Sequence, residues 1–64
     1  MFRYDIYIND QFWRTLEYDY EADIARIFND VNAARYLGEL DGYLVNGRMA
    51  VRIVPKKDLT PGEV

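Results

Sequence analysis

The sequence predicts a two-layer α+β fold, ββαββ, in which one helix covers one face of a four-stranded antiparallel sheet. Three observations carry that prediction. Phe2, Tyr4, Ile6 and Ile8 alternate with polar or amphipathic residues at period two, the mark of a half-buried strand. Ile24, Ile27, Phe28, Val31 and Ala34 recur at helical spacing. Asn46-Gly47 stands between Tyr43-Leu44-Val45 and Arg48-Met49-Ala50-Val51, a strong short-range hairpin signal, because both residues accept the positive φ of a type I′ turn.

The first strand runs over residues 2–8, and Asn9-Asp10-Gln11 follows as a turn. The second strand runs from Phe12 to about Tyr18. Side-chain pairing favours a three-residue connection over a two-residue one. The longer loop sets Ile8 opposite Phe12, Tyr4 opposite Leu16 and Phe2 opposite Tyr18. On the other face it sets Arg3 opposite Glu17 and Tyr7 opposite Trp13. Each such pair contributes roughly 0.2–1 kcal/mol. Arg14 then lies opposite Ile6 on the inner face, tolerable on an edge strand where its stem can reach out to water.

A helix is predicted over 20–37. Asp19 is its expected N-cap, and Glu21 and Asp23 fall in the first turn, where the macrodipole favours anions. Arg26 is placed to pair with Asp30 at i,i+4 and with Asp23 at i,i−3. Arg35 complements the C-terminal dipole and Gly38 supplies the positive-φ position beyond it. In the second hairpin, Leu44, Met49, Val51 and Ile53 are expected to face inward, with Tyr43, Val45, Arg48, Ala50, Arg52 and Val54 outward. Pro55 is expected to stop the last strand. The single domain is placed at 1–55, and 56–64, aperiodic and twice broken by Pro or Gly, reads as a flexible C-terminal tail.

Composition removes whole classes of chemistry from the expectation. The 64 residues hold no cysteine and no histidine, so neither a disulfide staple, a zinc site nor a cofactor is expected. General-base catalysis by histidine and nucleophilic catalysis by cysteine lack their residues, and the chain is not expected to be an enzyme. Gly38-Glu39-Leu40-Asp41-Gly42 follows a helix and does not precede one, so it is no phosphate-binding loop. Asp19, Glu21 and Asp23 are too few for a calcium loop and read as capping devices. Nor is one helix on a small sheet expected to enclose a substrate pocket. The early acid and the short apolar runs predict no signal peptide and no membrane span, and a cytoplasmic location is the default. Stability of about 3–9 kcal/mol is expected at this length.

Two surfaces stand out. The sheet face away from the helix is expected to gather Tyr7, Trp13 and Tyr43 with Arg3, Arg48 and Arg52. Rings interleaved with arginines suit single-stranded nucleic acid, whose bases stack on them. Equally, an apolar sheet face is commonly buried against another protein or a second copy of the chain. The net charge of −3 favours the protein contact over phosphate. That charge is divided: residues 19–41 carry six acids against two bases, whereas 42–57 carry four bases and no acid.

The second surface is the outer helix face, Ala22, Ala25, Asn29, Asn32, Ala33 and Tyr36, which carries no charge. Small uncharged residues let another backbone approach closely, although alanine is also simply the best helix former. Asp19, Asp23, Asp30, Glu39 and Asp41 would rim such a contact and select a basic partner. In size and texture the chain resembles small proteins of phages and mobile elements. The expected function is that of a small interaction module or regulator, with Tyr7, Trp13, Tyr43, Asn29 and Tyr36 as the protein-binding residues and homodimerisation as one form of the contact. Nucleic-acid binding through Arg3, Tyr7, Trp13, Tyr43, Arg48 and Arg52 is the alternative.

Overall fold

The computed structural model describes residues 1–56. The protein is α+β, with a three-stranded antiparallel sheet and one helix. Strand β1 spans Phe2–Ile8, β2 Gln11–Tyr18 and β3 Val51–Lys56, and the helix α1 spans Ile24–Tyr36. The sheet order is β2-β1-β3, so among the described residues the first strand is the centre and the other two are edges.

The apolar alternation of β1 is realised as its inner face: Tyr4, Ile6 and Ile8 are buried, and Ile6 and Ile8 are fully so. They meet Ile27, Val31 and Ala34 of α1, with Tyr18, Ala22 and Leu40 closing the core. Full burial of an aliphatic side chain contributes about 1.5–3 kcal/mol, so Ile6, Ile8, Ile27, Val31 and Leu40 dominate the stabilisation. Phe2, although in phase with the others, stays 43% exposed at the sheet end.

The β1–β2 ladder combines both connections considered above. From Phe2↔Tyr18 through Ile6↔Arg14 the pairing is that of the three-residue loop. Beyond Ile6 the register shifts to Tyr7↔Phe12 and Ile8↔Gln11, which closes a two-residue turn. Asn9 and Asp10 carry it at φ 49° and 67°, both in the left-handed region that a type I′ turn requires. Trp13 is the extra residue, a β-bulge that lets the tight turn and the preferred side-chain register coexist. Arg14 does lie on an edge strand, exposed, with Nη2 donating to Glu39 Oε1 at 3.1 Å.

The helix begins later than the sequence predicts. Asp23 is the N-cap: its Oδ1 accepts the Arg26 N–H at 2.8 Å and its carbonyl accepts the Ile27 N–H at 3.1 Å. Asp19, the expected cap, lies in the connection from β2, where Ala22 is buried against the core and draws the chain across the sheet end before helical winding starts. The C-terminus is a complete Schellman motif. Gly38, at φ 82°, donates to Arg35 O, and Glu39 donates to Ala34 O. This reversal delivers Leu40 into the core. Arg26 and Asp30 form the expected i,i+4 pair at 3.5 Å.

The expected fourth strand, Tyr43–Val45, is not a strand among the described residues. Asn46 and Gly47 do form a turn with φ 52° and 72°, but only the single bridge Val45↔Arg48 flanks it. Asp41–Tyr43 winds instead as a short 3-10 turn, with the Tyr43 N–H donating to Leu40 O at 2.8 Å. Asn9 supplies the physical reason. Its side-chain amide donates to the carbonyls of Tyr43 and Arg48, both at 2.9 Å, and its Oδ1 accepts from the Ala50 N–H at 3.0 Å. The Asn9 N–H donates to Ala50 O at 2.8 Å. Groups that would pair two strands are therefore satisfied by one side chain, and the segment curls around it.

Pro55 does not end the last strand; it pairs with Tyr4 inside β3. Hydrogen-bonded pairs alternate along an antiparallel ladder. Counting from Asn9–Ala50, the ring nitrogen of Pro55 faces the outer edge of β3, where no donor is needed. Lys56, placed by the sequence in the tail, pairs with Arg3. The rest of the expected tail, 57–64, lies outside the described residues.

Candidate functional site

The aromatic residues expected to share one sheet face are parted by the bulge. Tyr7 remains on the outer face, in edge contact with Phe12 at a centroid distance of 5.7 Å. The Arg52 guanidinium lies over its ring at 4.4 Å. Trp13 packs against the core cluster instead, because the extra residue at the bulge sets both Trp13 and Arg14 against Ile6. The guanidinium of Arg14 lies over the Trp13 ring at 4.1 Å. Tyr43 packs against the same core from the curled segment, its carbonyl held by Asn9. Tyr7, Trp13 and Tyr43 thus form no common patch.

The arginines are likewise dispersed. Arg3 pairs with Glu17 across β1 and β2, Nε to Oε2 at 2.7 Å. Arg52 covers Tyr7, and Arg48 sits exposed beside the Asn46-Gly47 turn. Asp5 and Thr15 join on the same outer face, Oγ1 donating to Oδ1 at 2.6 Å. The outer sheet face thus carries paired polar groups around the Tyr7–Phe12 contact, with Phe12 half exposed.

The helix keeps its expected surface together and enlarges it. At 3.6 residues per turn, Ile24, Phe28, Asn32, Ala25, Tyr36, Asn29 and Ala33 follow one another around the side away from Ile27, Val31 and Ala34. All seven are exposed; Tyr36 is 93% and Ile24 66% accessible, and Leu37 continues the apolar surface at 74%. Arg35 is the one charged residue in this arc, and its Nη2 donates to Gly47 O at 2.8 Å. Of the sequence-predicted members only Ala22 is lost, buried before the helix begins.

Ile24 and Phe28 extend the surface, although the sequence assigns both to the buried stripe. The later helix start and the narrow sheet explain them: three strands offer contacts for Ile27, Val31 and Ala34 and leave the flank of α1 open. Ile24 and Ala25 also line a groove of about 1020 Å³ between the start of the helix and the β1–β3 end of the sheet. Its walls include Met1, Phe2, Ala22, Ile27, Ile53 and Pro55, with Glu21, Asp23, Arg3 and Lys56 at the charged positions. A space of this size departs from the expectation that so small a fold leaves none. It is an open, largely apolar groove, and Asp23 is already engaged as the helix cap.

On the remaining flank, the Tyr18 hydroxyl donates to Asp30 Oδ2 at 2.6 Å. Burial, reinforced by the hydrogen bond to the carboxylate, pushes the Tyr18 phenol above its ordinary range. The Tyr18 ring is wedged between Tyr4 and Tyr20, at centroid distances of 5.9 and 5.7 Å. This cluster ties β2 to α1. Among the described residues no group of three or more acidic side chains is placed to hold a metal ion, and no helix is long and apolar enough to cross a membrane. No family model matches the chain, and no curated protein or solved structure is significantly similar to it.

Proposed function

We propose that the protein acts by binding another protein, and that the contact surface is the charge-poor arc of α1 together with the apolar groove it adjoins. One observation carries the reading: Ile24, Phe28 and Tyr36 expose apolar or aromatic surface along a helix side whose single charge, Arg35, is engaged with Gly47. A solvated helix face would alternate Glu and Lys there, and clustered exposed apolar groups are the usual mark of an interaction site. Ala25, Asn29 and Ala33 permit close backbone approach between the larger anchors.

Nucleic-acid binding through the sheet is supported less well, since Arg52 already covers the Tyr7 ring and Trp13 packs inward. A photo-crosslinking side chain at position 24 or 36, set against a control at exposed Asp10, tests the proposal in the native host. Adducts confined to 24 and 36 are expected. Equal yields from Asp10, or none from the helix, reject it. Sedimentation of the purified chain over a dilution series distinguishes a second copy from a different partner.

A further inference from the structure

The four asparagines of the chain occupy three distinct environments. The side chain of Asn9 makes three hydrogen bonds. Asn29 and Asn32 lie within α1, where the N–H of each following residue is directed into the helix. Asn46 differs from all of them. It is exposed, its side chain makes no hydrogen bond with any described residue, and the residue after it is Gly47.

Gly47 has no side chain to shield its amide, and even a Cβ built there would meet nothing within 4 Å. Its carbonyl accepts from Arg35, but its N–H donates to no described group, as is usual for the third position of a type I′ turn. The turn itself is closed by one residue pair, Val45 and Arg48, with N–H···O distances of 3.1 and 2.9 Å. Such a closure opens readily compared with the ladders beside it.

We propose that Asn46-Gly47 is a site of spontaneous covalent modification, at which the asparagine deamidates through a cyclic imide. Base removes the Gly47 amide proton, and the nitrogen attacks Asn46 Cγ. The new N–Cγ bond forms as the Cγ–Nδ2 bond breaks, and the leaving group takes up a proton to depart as ammonia. Water then opens the ring. Attack at Cγ restores the ordinary backbone with aspartate at 46, whereas attack at the main-chain carbonyl leaves an isoaspartyl linkage. No electrons are exchanged with any other reagent.

Either product places a carboxylate beside the carbonyl that Arg35 binds, and takes the net charge from −3 to one unit more negative. The isoaspartyl product also lengthens the backbone between Val45 and Arg48, and so breaks the pair that closes the turn. The modification therefore acts on the contact between the C-terminal end of α1 and the curled segment.

Ageing the folded full-length chain at mildly alkaline pH, followed by peptide mapping with separation of aspartyl from isoaspartyl forms, tests this. Conversion at Asn46 is expected several-fold faster than at Asn9, Asn29 or Asn32, with both products present. Gly47→Ala, confirmed folded by circular dichroism, is expected to slow it several-fold. Conversion of all four asparagines at one rate, or an intact Asn46 while another converts, overturns the proposal. So does a Gly47→Ala chain that converts as fast as the parent. The mapping of the parent chain decides the matter even if the variant does not fold.

Discussion

Two turns in this molecule have nearly the same backbone and opposite consequences. Asn9-Asp10 and Asn46-Gly47 both pass through paired positive φ values, 49° and 67° in one and 52° and 72° in the other. The first connects strands that pair along their length, whereas the second is flanked by one bridge. Turn chemistry therefore nucleates a reversal without deciding whether a ladder follows. In the first case the flanking residues interleave apolar side chains over α1. In the second, the Asn9 side chain takes the carbonyls of Tyr43 and Arg48 and the N–H of Ala50.

Removing that clamp should produce the largest effect. Asn9→Ala loses three side-chain hydrogen bonds and leaves φ 49° to a residue without the short polar side chain that makes this region tolerable for asparagine. With each bond contributing about 0.5–1.5 kcal/mol net, a loss of about 3 kcal/mol is expected in urea unfolding. Asn9→Gly accepts the backbone angle more easily and should recover only a minor part. If Asn9→Ala unfolds at the parent's denaturant midpoint, the clamp does not hold the second segment.

Next in size is the anchor at the far end of the first hairpin. Tyr18→Phe removes the hydroxyl bonded to Asp30 and should cost about 1.5–3 kcal/mol, as for hydrogen bonds to charged groups. The pH dependence has a definite sign. Because the Tyr18 phenol is raised in the folded state, the folded chain holds a proton that the unfolded chain releases. The stability from this group is present below the unfolded phenol pKa of about 10 and declines as pH rises above it. Unfolding titrations of the parent should fall more steeply above that pH than those of Tyr18→Phe; parallel curves would remove Tyr18 as the cause.

Gly47→Ala bears on the second turn alone. The added carbon meets no neighbour, so the penalty is that of φ 72°, about 1 kcal/mol. Thermal unfolding checks this, and a loss well above that value would mean that the turn is more tightly bound to the body than one bridge implies. The smallest effect belongs to Arg35→Ala, whose exposed bond to Gly47 O should change stability by less than about 1 kcal/mol. Amide exchange at Val45 and Arg48 should nonetheless quicken in that variant.

Much of the fold is legible in residue pattern because it rests on local rules. The period-two run of β1, the Gly38 reversal, the Arg26–Asp30 pair and the Asn46-Gly47 turn follow from side-chain spacing and backbone preference. The candidate surface was half legible. Ala25, Asn29, Asn32, Ala33 and Tyr36 are marked by the absence of charge, whereas Ile24 and Phe28 look like core by the same helical period that correctly places Ile27 and Val31. Whether an apolar helix residue is covered depends on how wide a sheet lies beneath it, which no window of sequence contains. Leu40 illustrates the converse: no periodic run includes it, yet the Schellman reversal makes it fully buried.

The sequence by itself determined the α+β class, the neighbourhoods of the turns and the charge-poor helix side, because these depend on residues within a few positions of one another. Tertiary structure alone decided that β1 is the central strand, that Trp13 bulges inward and away from Tyr7, and that the helix starts at Asp23 and not at Asp19. It also decided that three strands, not four, form among the described residues. Each of those outcomes is a competition between groups distant in the chain for the same hydrogen bonds or the same apolar surface. Asn9, 34 residues from the Tyr43 carbonyl it binds, settles the last of them.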